Sequence, residues 1–336
     1  MDSFTHIALG ACIGEAFFKN GFGKKAMAWG ALAQSIPDID FVAAFWTDTT
    51  GNLLTHRGFT HSILFAVLII PLFALLADKI HRPHNISFKK WLLFFSTEIF
   101  IHLFIDGFNN YGIGWLEPFS HQRYTFNAIY VVDLLFSTWS IVAFIMLLLL
   151  NKNSLRRAFW WKLGVIFPFI YLAYCSVNKF IIDKEVNLAF KEQHIPHEQY
   201  FTTPAPLQSW LWFVAAGNDS GYYVGYRSVF DRNKSIDLKF FPKNDSLLNQ
   251  FKNEKSVDEL IRFSREFYTV EKWHDTLVFN NLGFGQIIGW KDPNQHFAFH
   301  YLLQYPEENL LVVQRGRFAN WDWEAAKALL KRAKGH

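Results

Sequence analysis

Cysteine is nearly absent from this chain: only Cys12 and Cys175 occur, each inside an apolar run. Two isolated thiols exclude a disulfide framework and a paired-cysteine metal site, and both are expected to be free and buried. Charge is scarce too. Asp, Glu, Lys and Arg make up 18% of the residues, against about 25% in soluble globular proteins. The net charge of +4 gives no reason to expect nucleic acid as a partner. The start, MDSFTHIALG, lacks a basic region and is followed by no small-residue cleavage site, which argues against a removable signal peptide. No internal repeat and no low-complexity segment is present. What abounds is apolar: 51% hydrophobic residues, with 37 Phe and 13 Trp, as in a chain that meets lipid and its interfaces.

The scarce charges divide the chain. Residues 1–180 hold 24 of the 62 charged side chains and every long apolar run. The reading is an all-α polytopic membrane domain over 1–180 and a soluble α+β domain over 181–336, with the boundary near Lys179–Lys184. Six spans are expected, at about 4–18, 26–46, 60–77, 91–108, 131–150 and 159–178, since about 20 residues cross a hydrocarbon core of about 30 Å. Basic residues favour cytoplasmic loops, and here they fall in alternate loops: Lys19, Lys24 and Lys25; Lys79, Arg82, Lys89 and Lys90; Lys152, Arg156, Arg157 and Lys162. Both ends of the chain, and with them the α+β domain, are then expected outside the cytoplasm of a bacterial inner membrane. In that domain, 222–230, 276–282, 296–303 and 309–318 have strand composition. Residues 256–267 and 321–333 have helical spacing, the second behind a cap at Asn320–Asp322. TTPAPLQSW (202–210) reads as an extended connector.

Ionisable residues within or beside membrane spans are costly and point to function. They are His6, Glu15, Asp38, Asp40, His56, His61, Glu98, His102, Asp106 and Asp133, and all except Glu15 fall near the outer ends of spans. His102 and Asp106 are four apart on one helix face, with Glu98 a turn earlier as a carboxylate able to hold a ligating imidazole. PDID (37–40) sets two carboxylates just after a helix-breaking proline, and HRGFTH (56–61) sets two imidazoles around a glycine. Each pattern alone has a plain reading: HxxxD recurs by accident, PDID serves as a capping turn, and HRGFTH serves as a polar loop. Their convergence on one membrane face points to a shared divalent metal site. Zinc suits imidazole plus carboxylate, with manganese or iron as alternatives. His81 and His84, in a basic inner loop, and His194 and His197, in the connector, are expected to be solvated.

His6, PDID, HRGFTHS, the stretch HLFIDGFNNYGIGWLEPFS (102–120) and VVD (131–133) together resemble the YdjM-like family of inner-membrane metal-dependent hydrolases, over about residues 1–150. That family is similar, distantly, to zinc-dependent phospholipase C and the zinc-dependent single-strand nucleases, which hydrolyse phosphoesters with clustered zinc ions. The resemblance implies metal-ligand roles for His6, Asp38 or Asp40, His56 or His61, His102 and Asp106. The soluble relatives continue with a further His and an HxxxE pair. In this membrane domain only Glu117, His121 and Asp133 follow Asp106, so one or two ions are expected rather than three. The expected function is a membrane-bound hydrolase of a phosphoester on a lipid or lipid-linked substrate, with Asp40 accepting a proton from water and Arg57 clamping the phosphoryl charge. A transporter and a purely structural metal cluster are the rival readings.

Overall fold

The computed structural model describes residues 1–18, 22–81, 86–251, 254–309 and 321–336. The chain divides into two compact units. One comprises Met1–Ala43, Thr55–Phe126 and Val131–Tyr174; the other comprises Ala44–Leu54, Asn127–Tyr130 and Cys175–His336. As expected, a helical N-terminal region is followed by a region that contains the sheets.

In the first unit the helices that begin at Ser3, Ile63, Phe88 and Leu134 start where the sequence supplies a side-chain cap, whereas the one that begins at Lys24 follows Gly23 with none. Asp2 accepts from Thr5 N at the start of α1 (Ser3–Phe17). α2 (Lys24–Ser35) ends before Pro37, and Pro37–Phe45 continues as a 3-10 segment, so the stretch expected as one span over 26–46 is a shorter helix plus a tight turn. Proline supplies no donor for the next helical turn. After α3 (Thr49–Thr55), Ser62 Oγ accepts from Phe65 N at the head of α4 (Ile63–His81). α5 (Phe88–Asp106) is capped by Ser87 and α6 (Leu134–Leu149) by Asp133. α7 runs from Arg157 to Glu192.

Among the described helices, α4 and α7 are long and apolar enough to cross a membrane, whereas α6 is apolar but shorter. Val67, Leu68, Leu72 and Leu75 of α4 are each more than half exposed, a face suited to lipid. The opposite face packs Ala66, Ile70 and Ala74 on Phe94, Phe95 and Ile99 of α5. The expected boundary at 179–184 falls inside the unbroken helix α7.

The second unit holds two antiparallel sheets. β1 (Gln199–Pro204), β2 (Leu211–Asn218), β3 (Gly221–Ser228) and β4 (Leu238–Pro242) pair in sequence order. After α8 (Lys255–Phe263) come β5 (Tyr268–Trp273), β6 (Thr276–Gln286) and β7 (Phe297–Leu302), again in order, and α9 (Trp323–Ala333) starts at the Asp322 cap. The expected connector at 202–210 is in part an edge strand: Thr202–Pro204 pair with Trp212–Val214. Proline fits there because it ends an edge strand, where its missing donor breaks no ladder. The two faces of β2 are used separately, as strand alternation requires. Trp212, Val214 and Ala216 pack on Ile182, Val186 and Phe190 of α7, while Phe213 and Ala215 pack with Leu282 and Phe297 of the second sheet. The strand expected at 309–318 lies, beyond Asn309, outside the described residues.

Candidate metal centre

The site begins with a close helix pair. Gly10 and Gly14 lie on the face of α1 that meets α2, and a Cβ on either, or on Gly30 of α2, would run into the facing backbone carbonyl. Small residues four apart let two helix backbones touch. The contact brings His6 of α1 beside Gln34 of α2, which stands opposite Glu98 and His102 of α5.

Gln34 then sets the orientation of two imidazoles. Its side-chain Nε2 donates to the Glu98 carbonyl (2.9 Å), so its Oε1 is the end that meets His6 Nδ1 at 3.2 Å. His102 Nδ1 lies 2.7 Å from the Gln34 carbonyl, an acceptor only. Both Nδ1 atoms therefore carry a proton, and in the neutral ring of His102 Nε2 then presents a lone pair. His102 Nε2 faces His61 Nε2 at 3.2 Å. His61 Nδ1 has Asp40 Oδ2 behind it at 3.5 Å, a carboxylate placed as those that fix metal-bound imidazoles are. His6 Nε2 faces Asp106 Oδ1 at 3.1 Å, and the His6 and His102 rings stack at 3.9 Å.

Two carboxylates complete the group. Asp38 Oδ1 is 3.5 Å from His61 Nε2 and 3.6 Å from His102 Nε2. Asp106 Oδ2 is 3.6 Å and 3.8 Å from the same two nitrogens. These separations, 3.2–3.8 Å across five of the six donor pairs, are close to the spacing of about 3.3–3.6 Å set by metal–ligand bonds of about 2.0–2.2 Å, and all four donor atoms lie within 4.8 Å of one another. His61, His102 and Asp106 are fully buried, and the Asp38 side chain is 18% exposed. Lone pairs and carboxylates turned on one buried point repel unless a cation lies among them, so this donor set fits a divalent metal. Positive groups already gather there: Arg57 Nε is 3.0 Å from Asp106 Oδ2, and the Met1 amine donates to Asp106 Oδ1.

The other expected site residues fall around this group. Asp40 lies behind it: its Oδ2 accepts from Arg57 N (2.6 Å) and pairs with His56 Nδ1 (3.2 Å). His56 is half-exposed, pairs with Asp40 and sets its ring edge-on to His61 at 6.5 Å. Arg57, expected to face a substrate, is turned inward. Its backbone has φ of +59°, its guanidinium donates to Asn109 Oδ1 and the Met1 carbonyl, and it stacks on Tyr111. That positive φ lets the Arg57 N–H reach Asp40 while the side chain reaches Asp106. Asp133 stands apart as a cap: Oδ1 accepts from Leu135 N and Phe136 N, and Oδ2 from Tyr171 (3.1 Å). The Glu98 side chain does not hold an imidazole; it is buried beside Gln34, and Gln34 performs that task. Glu15 forms a buried two-bond pair with Arg157, at 2.7 Å for each bond. Glu117 and His121 pair with each other. His81 accepts from Trp29 Nε1 (2.8 Å) instead of being solvated, and His84 lies outside the described residues. Gln34 escaped the sequence reading because an uncharged amide carries no titratable signal. Its place one helical turn before Asp38, with the small-residue run of α1, was the available clue.

A family model described as YdjM inner membrane protein matches residues 1–182. The chain is 29% identical over 122 residues to the inner membrane protein YbcI of Escherichia coli (strain K12), covering 36% of this chain and 69% of that protein. It is 34% identical over 136 residues to the uncharacterized protein YfhP of Bacillus subtilis (strain 168), covering 36% of this chain and 38% of that one. No solved structure gives a significant match.

Proposed function

Because this chain belongs to the YdjM family of inner membrane proteins, we propose that it is a multi-pass protein of the bacterial cytoplasmic membrane that binds a divalent cation at Asp38, His61, His102 and Asp106 and hydrolyses a phosphoester there. The substrate is a lipid or a lipid-linked phosphate reached from the outer leaflet. The alternation of basic loops supports the orientation, with the second unit outside the cytoplasm.

The observation that carries the reading is the compact set of two imidazole nitrogens and two carboxylate oxygens, all within 4.8 Å of one another. Such a nitrogen and oxygen set suits zinc, with manganese or iron as the alternatives. A divalent cation bound there supplies a polarised phosphoryl oxygen and an acidified water. The protein's own groups do the rest. Gln34 and Asp40 hold the imidazoles in the tautomer that offers Nε2 to the centre. Arg57 balances the charge of Asp106. On the more open side, Asp40 Oδ2 holds His56 Nδ1, which leaves Nε2 of this half-exposed ring as the proton acceptor. Asp40 is thereby a positioning residue for both His56 and His61.

A second reading, a structural metal, is favoured by one observation: three of the four donors are fully buried, and four protein ligands are the pattern of structural zinc sites. Metal analysis and phosphodiesterase assays on the detergent-purified protein separate the two. Under the hydrolase reading Asp106→Asn lacks both metal and turnover, while His56→Ala keeps the metal and loses turnover. A metal-loaded wild type that is inert on phospholipids, lipid-linked phosphates and generic phosphodiesters leaves the structural reading standing.

A further inference from the structure

α7 is longer than a membrane requires. Its 36 residues extend about 54 Å at 1.5 Å per residue, against about 30 Å of hydrocarbon and about 40–45 Å with headgroups. With the core set on the apolar stretch 159–178, the next three to five residues lie at headgroup level, about 5–8 Å deep. Phe180 and Ile181 fall in that zone, and Lys184 at its outer edge has the reach to return to it.

These residues line a groove of the second unit. One cavity of about 470 Å³ takes in Phe180, Lys184, Leu188 and Lys234, and adjoins another of about 900 Å³ that includes Lys334; Arg232 lines both. The acidic groups within are partly neutralised in place: Glu185 by Arg227 (3.0 Å), and Asp231 by Arg332 through bonds of 2.6 and 2.8 Å. Lys184, Arg232, Lys234 and Lys334 are exposed and make no side-chain bond among the described residues. They outnumber the two remaining acids of the lining, Glu192 and Asp237. Beside them Phe180 is 72% and Leu188 51% exposed, an apolar edge that a small soluble anion has no use for.

We propose that this groove binds the anionic phosphate headgroup of a membrane phospholipid. Lys184, Arg232 and Lys234 meet the phosphate, while Phe180 meets the top of the acyl chains. Aromatic and basic residues are placed together at this depth for the same reason in other membrane proteins. The site rests on α7 as a membrane span and is independent of the chemistry at the metal centre.

The test is native mass spectrometry of the full-length protein in detergent, titrated with phosphatidylglycerol or phosphatidylcholine. The wild type is expected to bind phosphatidylglycerol more tightly. Arg232→Ala/Lys234→Ala should lower that affinity about 25-fold, at about fivefold for each cation near a charged surface, and leave phosphatidylcholine binding unchanged. Lys327→Ala, a surface lysine outside the groove, should change neither. Equal affinity for the two lipids, or an unaltered double variant, overturns the proposal. So does full displacement of phosphatidylglycerol by millimolar inorganic phosphate, which would mark a site for free phosphate.

Discussion

Gln34 carries two orientations on one residue, its amide oxygen meeting His6 and its backbone carbonyl meeting His102. Gln34→Ala frees the His6 ring to turn and is expected to weaken metal binding about 10–100-fold, the usual effect of removing a partner behind a ligand. Competition against a chelating dye measures it, with circular dichroism as the check on fold. Asp133 gives the contrasting case. As a cap of α6 rather than a ligand, Asp133→Ala should lower stability by about 1 kcal/mol and leave the metal content of the purified protein unaltered. Loss of metal in that variant would return Asp133 to the ligand set. Residue types and spacing named a pool of ionisable side chains that includes the four of this cluster, but not which of them meet. Asp38 and Asp40 lie two apart in a tight turn, as His56 and His61 lie five apart around a glycine, and no regular period decides which of each pair faces inward. The structure turns Asp38 and His61 to the centre and sets Asp40 and His56 as a pair behind and beside it.

At the scale of elements, the α1–α2 contact decides whether the centre exists. Gly30→Leu pushes the two backbones apart, since even a Cβ there meets the Gly10 carbonyl. The variant is expected to melt at lower temperature, by at least the roughly 1–3 kcal/mol of an overpacked core, and to lose metal with it, because His6 and Gln34 separate. A variant with wild-type metal content would show that α1 is dispensable to the site. Glu15 was the one polar residue that did not fit an outer-face site, and its bonds to Arg157 account for it as a tie between α1 and the start of α7. Glu15→Gln leaves a buried guanidinium without its counter-charge and should cost about 3–5 kcal/mol, read as a fall in thermal stability with metal still bound. The helices themselves were legible from hydropathy and caps, and six lie where apolar runs were expected. Their ends were less so: α2 stops at Ser35 and α7 runs on to Glu192. A tight turn and a helix that runs on from one unit into the next both keep the apolar spacing that marks a span.

For the whole molecule, reporter fusions at 20–24, 83–88 and 152–156 are expected to report a cytoplasmic location, and fusions after 185 an extracytoplasmic one. A cytoplasmic reporter at residue 336 would reverse the orientation and place the metal centre on the inner side. Chelation is the second global test. A cation at free concentration c that binds only the folded state stabilises it by RT ln(1 + c/Kd), so stripping it should lower the melting temperature and restoring it should recover the loss. By itself the sequence determined the class of protein, the order of helices before sheets, the family and the pool of residues from which the centre is drawn. The class and the order of elements follow from composition and from periodicities that span a few turns, and the family from the resemblance of its motifs. Which four donors meet was decided by the tertiary structure alone, because they come from the turn after α2, the loop before α4 and the end of α5, segments up to 68 residues apart in the chain. Their approach depends on glycine-mediated backbone contact, on the left-handed backbone at Arg57 and on an uncharged glutamine, and none of these leaves a charge or a period to read.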